Sequence, residues 1–109
     1  MTLNGIELEF DMFDYETADK YESALKDLAV SRSAATTLKD AIKDQCNAAF
    51  VFFDKLFGEG VSDKIFGGKM NFKECFDAVK AVIDEANRQN EEYKAMLQTY
   101  APNKGKRGK

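Results

Sequence analysis

Apolar and polar side chains alternate along the first dozen residues: Ile6, Leu8, Phe10 and Met12 stand against Glu7, Glu9 and Asp11. That period of two belongs to a strand with one face in a core and the other in water. Just before it sits Asn4-Gly5, a pair suited to a tight hairpin because both central positions of a type I′ turn need positive φ. Met1 to Leu3 should therefore fold back on Ile6 to Leu8. An arm of three residues leaves residues 9–13 without a partner strand, and a two-stranded hairpin is marginal alone. Either a helix covers that edge or a second subunit pairs with it, which makes Phe10, Met12 and Phe13 the expected self-association strand.

The period then changes to helical. Asp14 or Thr17 can cap a first helix in which Ala18, Tyr21, Leu25 and Leu28 recur at spacings of three and four, ending near Val30. Ser31 or Ser33 is expected to cap a second helix running to about Phe57, with Leu38, Ile42, Cys46, Ala49, Phe53 and Leu56 on one face. Phe50, Phe52 and Phe57 widen that face beyond an ordinary amphipathic stripe, so the helix should be buried on more than one side. A linker with two Phe-Gly units, Phe57-Gly58 and Phe66-Gly67, follows; its glycines can take the positive φ that ends a helix. Asn71 and Glu74 have the spacing of a capping box for a third helix, and Pro102 marks its end.

In that third helix Phe72, Phe76, Val79, Ile83, Ala86, Asn90, Tyr93, Leu97 and Tyr100 alternate by four and three through four heptads. A helix of this length is a rod of about 43 Å, longer than the roughly 34 Å diameter of a compact chain of this size. The half from Ala86 to Tyr100 should overhang the domain and offer an intermolecular seam, with Asn90 as its polar register residue. The fold expected is mainly α with some β: an N-terminal β-hairpin and three helices, the last one long. Residues 1–101 are expected to form a single helical domain with the hairpin, and 102–109 a disordered basic tail.

Composition narrows the chemistry. With 109 residues, 44% hydrophobic, nine phenylalanines and one proline, the chain is built to fold as one domain. Net charge is −3, but Lys104, Lys106, Arg107 and Lys109 fall in the tail; without them 12 cations face 19 acids, a body of −7. An acidic body is not a nucleic-acid footprint. No leader and no bilayer-length apolar run is visible, so the expected location is the cytoplasm, without membrane attachment. Cys46 and Cys75 fall within apolar stripes, which suits buried thiols better than a disulfide framework.

Histidine is absent, which removes the commonest general base and metal ligand together. Gly58-Glu59-Gly60 lacks the third glycine of a dinucleotide loop, and Gly67-Gly68-Lys69 is followed by Met70 where a phosphate loop has a hydroxyl residue. The alternating acids Glu7, Glu9 and Asp11 match no calcium loop and fit a solvated strand face. No catalytic residue, cofactor site or metal site is expected, and the chain does not read as an enzyme. The feature left over is apolar excess. A three-helix core cannot readily hide Phe50, Phe52, Phe53 and Phe57 together, so these residues, with Phe66 in the linker and Tyr93, Leu97 and Tyr100 on the rod, are the expected protein-binding positions.

Asn4-Gly5-Ile6-Glu7-Leu8-Glu9-Phe10, Gln45-Cys46, the run from Phe52 to Gly60, Lys64-Ile65-Phe66-Gly67 and Asn71-Phe72 together resemble small proteins encoded in the tail-morphogenesis regions of Gram-positive phages and prophages. Those proteins look like the tail assembly chaperones of long non-contractile-tailed phages. The resemblance implies a non-enzymatic helical protein that oligomerises in the host cell cytoplasm. It implies coating of the apolar helices of the tape measure protein until tail tube protein polymerises around them. It also implies a longer product made by ribosomal slippage, for which Gly105-Lys106 and Gly108-Lys109 are suitable dipeptides. The alternative is a secreted or structural helical-hairpin adaptor that self-associates, which the turn at Phe57-Gly58-Glu59-Gly60 loosely resembles.

Overall fold

The computed structural model describes residues 1–31 and 34–100. Two short strands, β1 (Thr2–Leu3) and β2 (Ile6–Glu7), pair antiparallel with Leu3 opposite Ile6. Asn4 and Gly5 turn between them at φ of 50° and 78°, the positive values the pair was expected to supply. The ladder extends by one step, as the Leu8 amide donates to Met1 O at 2.7 Å.

Among the described residues no strand continues beyond Leu8. The Met12 amide donates to Gln89 Oε1 at 2.7 Å, and Gln89 Nε2 donates to Phe10 O at 2.8 Å. A single amide side chain thus takes the place of a neighbouring strand. Phe10 is buried, with its ring 5.7 Å from Tyr21 and 5.8 Å from Phe57. The expectation of an open strand edge at Phe10, Met12 and Phe13 is corrected accordingly. The groups that would have paired outward at Phe10 and Met12 are satisfied within the chain, and only Phe13 stays exposed.

Among the described residues four helices follow rather than three: α1 (Tyr15–Val30), α2 (Leu38–Phe57), α3 (Val61–Phe66) and α4 (Phe72–Tyr100). Asp14 caps α1 by accepting from the Thr17 amide. The second helix starts later than expected, at Leu38, capped by Thr37 Oγ1, which accepts from the Asp40 amide. Ser31 instead closes α1, its amide donating to Leu28 O; Ser33 lies outside the described residues, as do Pro102 and the basic tail. The capping pair of α4 is as expected, with Asn71 Oδ1 accepting from the Glu74 amide at 3.0 Å.

The linker helix α3 was not foreseen. Glycines in left-handed conformation frame it, Gly60 before and Gly67 after. Asp54, near the end of α2, reaches forward to accept from the Ser62 amide at 2.8 Å. From the other side Asn4 Nδ2 donates to Ile65 O at 2.9 Å, so the hairpin turn docks on α3. Each device satisfies a backbone group that a short helix would otherwise leave open.

Helix α2 is the centre, packing on α1, α3 and α4, while α1 and α4 scarcely touch. Helix α1 packs on α2, with Asp27 ion-paired to Lys55. Helix α4 runs parallel to it: Met70 and Phe72 lie by Leu38 and Ile42, and Val79 lies by Ala49. The linker and α3 must therefore return along α2, and they do so with Phe66 against Phe50 and Phe53 at 5.3 and 5.5 Å. Past Gln89, α4 leaves the body, and every residue from Asn90 to Tyr100 is exposed. The molecule measures 60 × 30 × 20 Å with a radius of gyration of 17.3 Å, well above the roughly 13 Å of a compact 100-residue chain.

Candidate functional site: an open groove over the central helix

The residues of α4 that enter the core are Cys75, Ala78, Val82, Ala86 and Gln89. They lie one position off the heptad stripe read from the sequence, which shares with them only Ala86. The reason is room. Opposite them, α2 presents Cys46, Ala49 and Phe53, and between two closely packed helices Cys, Ala and Val fit where phenylalanine does not. The larger residues are displaced to the flank: Phe72 and Phe76 are 45% and 53% exposed although their rings are 5.9 Å apart.

On the α2 side, Leu38 is also exposed and Ile42 is half-buried. Because α1 and α4 do not close over this face, a trough remains whose floor is α2. One hollow of about 240 Å³ is lined by Leu28 of α1, Gln45 and Ala49 of α2, and Phe72, Cys75, Phe76 and Val79 of α4. An adjoining one of about 250 Å³ continues along Leu38, Ala41, Ile42, Gln45 and Phe72. Towards the start of α2 the trough opens between Lys39, Asp40, Lys43 and Met70. Its walls are mostly apolar, with Gln45 the polar side chain shared by both hollows and Lys39, Asp40 and Lys43 at the mouth. The trough runs along the seam of α2 and α4, with Leu28 of α1 closing one end, and its width suits an added helix.

The sequence-predicted binding residues separate into three groups. Phe52 and Phe53 are 2% and 0% exposed and Phe66 is 6%, so these belong to the core and are corrected as contact residues. Phe53 is covered by Phe66 of α3, which was not foreseen, whereas Phe52 lies on the side of α1 with Ala24 and Leu28. Phe50 and Phe57 are half-buried at the edge of the same cluster, with Phe57 5.9 Å from Phe53. Tyr93, Leu97 and Tyr100 are exposed on the overhanging rod, and Tyr93 meets Phe13 at 6.5 Å. None of the eight lines the trough. Leu38, Ile42, Phe72 and Phe76 do, and they had been assigned to helix core stripes; the small-residue run Cys75, Ala78, Val82 was the available sign that the stripe faced elsewhere.

Electrostatics within the body is structural. Cys46 and Cys75 are both free and buried, on facing helices. Burial first, and then contact with Cys46, pushes the Cys75 thiol up to about 12, so it is no nucleophile. Hydrogen bonds from Arg88 and then Gln89 hold the Glu85 carboxyl down at about 2. That carboxylate anchors Gln89, which in turn holds residues 10–12.

A family model matches residues 4–109, nearly the full chain. The chain belongs to that family, DUF6673, a family of unknown function. No curated protein and no solved structure matches it. For this DUF6673 member the trough is thus the feature with a definite shape and chemistry. Among the described residues no helix is long and apolar enough to cross a membrane.

Proposed function

We propose that this protein is a non-enzymatic helix-binding chaperone of phage tail assembly, which seats an amphipathic helix of the tape measure protein in the trough over α2. The observation that carries this is the mostly apolar trough along α2 and α4, edged by Leu28 of α1. An occupant with an i, i+3, i+4, i+7 apolar face would bury Ile42, Phe72, Phe76 and Val79 and turn its polar face to water. Held this way in the host cytoplasm, a long apolar-helical protein stays soluble until tail tube protein closes around it. Copies of the chaperone would associate along the partner. The resemblance of the hairpin, the Phe-Gly linker and Asn71-Phe72 to tail assembly chaperones supplies the partner's identity. The rival helical-hairpin adaptor has less support, since the two long helices run parallel with α3 between them.

The test begins with the gene's neighbours, which should encode a tape measure protein and a tail tube protein. Co-expression with helical segments of that tape measure protein should keep them soluble and yield a complex in size-exclusion chromatography. A Phe72→Asp/Phe76→Asp double variant should still fold, since both rings are about half exposed and outside the core, yet lose the complex. Retention of the complex by that variant would contradict the proposal.

A further inference from the structure

Gln45 is the polar side chain that both hollows of the trough share. Along α2 it stands in the line Leu38, Ile42, Gln45, Ala49, which has the four-three-four spacing of a coiled-coil seam. On α4 the matching line is Phe72, Phe76, Val79, spaced by four and three. The stripe read from the sequence has Cys46 in place of Gln45. Cys46 is instead fully buried against Cys75, and position 45 is the one that lines the trough. Two seam lines are therefore ready for a third helix, and one of their positions holds an amide.

Gln45 is half-buried, and among the described residues none hydrogen-bonds its side chain. The side chains around it in the two hollows are apolar except the Cys75 thiol, which is taken up by Cys46. Lys39, Asp40 and Lys43 lie at the mouth and off the seam line. With the trough open, solvent satisfies the amide. A helix laid over it removes that solvent, and the backbone groups of a helix are already paired with one another. The answer to Gln45 must then come from a side chain of the bound helix. An amide buried without one weakens binding about tenfold.

We propose that Gln45 sets the register of the bound helix by hydrogen-bonding one amide or hydroxyl side chain, from Asn, Gln, Ser or Thr, on that helix's otherwise apolar face. This rests on the trough as a helix-binding site and names the class of helix it selects. From Leu38 to Ala49 the seam runs about 16 Å, or about three turns, with Gln45 inside it and apolar residues on either side. A matching helix therefore carries its polar residue within the apolar face and not at its end. Slipped by a turn, the same helix would leave two amides unanswered, its own and that of Gln45. A single polar seam residue of this kind trades some affinity for one defined alignment.

An asparagine scan tests it, using the full-length chain and a labelled amphipathic helix from the tape measure protein encoded beside the gene. In one peptide every position of the apolar face is leucine; in the others a single asparagine takes each of those positions in turn. By anisotropy, wild type should bind one asparagine peptide about tenfold more tightly than the rest of the asparagine set. Gln45→Met, of nearly the same shape but without an amide, should bind the all-leucine helix more tightly than wild type does and favour no asparagine position. A flat scan on wild type would overturn the register role and leave helix capture standing. The same favoured position in Gln45→Met would do likewise, since the preference would then come from elsewhere in the trough. No binding of any peptide by wild type would overturn both claims.

Discussion

At the scale of single residues, Gln89 does the most with the least. Its amide satisfies Phe10 O and the Met12 amide, and it also donates to Glu85 Oε2 at 2.8 Å, so one side chain ties the N-terminal segment to α4 and to the carboxylate one turn before it. Glu85 is in turn held by Arg88 Nη2 at 2.8 Å. The Glu85 carboxyl lies at about 2, below its ordinary 4.5, because Arg88 and then Gln89 donate to its charged form. A depressed carboxyl contributes stability that is complete above the unfolded value and is lost as pH falls through the folded one. Wild type should therefore be more stable than Glu85→Gln at neutral pH, with the gap between their melting curves closing from about pH 4.5 to about pH 2. A gap unchanged across that window would mean that Glu85 supports the fold by shape and not by charge.

At the scale of elements, the N-terminal turn, the start of α1, the cap and full length of α4, and the predominance of helix were all legible, because each rests on local chemistry: Asn4-Gly5, Asp14, Asn71 with Glu74. What could not be read locally was decided by packing between elements. Helix α3 depends on Asp54 and Asn4 arriving from elsewhere, and six residues carry too little periodicity to announce themselves. The α4 stripe was misplaced for a related reason. Hydrophobic size picks out Phe72, Phe76 and Ile83, whereas closeness to α2 selects Cys75, Ala78 and Val82. The trough lies in the difference between those two stripes, so it was visible only once both helices were in place. Helix α3 also explains where the phenylalanines went, since Phe66 closes over Phe50 and Phe53. Phe66→Ala should thus cost about 3–5 kcal/mol by chemical denaturation. A loss below about 1 kcal/mol would mean that α3 is not part of the core.

At the scale of the whole molecule, an elongated shape keeps two apolar surfaces apart. The trough sits beside the N-terminal half of α4 and the rod end stands at the other extreme of a 60 Å body. Between them the core is closed: Phe52, Phe53, Val82 and Cys46 are almost wholly hidden. Under the proposed function, that separation would leave the trough open to a client helix without involving the rod end. The central claim is that the trough takes a client helix, and the most direct measurement is a titration. A fluorescently labelled amphipathic helix from the tape measure protein encoded beside the gene would be followed by anisotropy as the full-length chain is added. Saturable binding to wild type, lost in Phe72→Asp/Phe76→Asp and kept in Leu97→Asp, is the predicted result. Equal binding by all three proteins, or none by wild type, would contradict it.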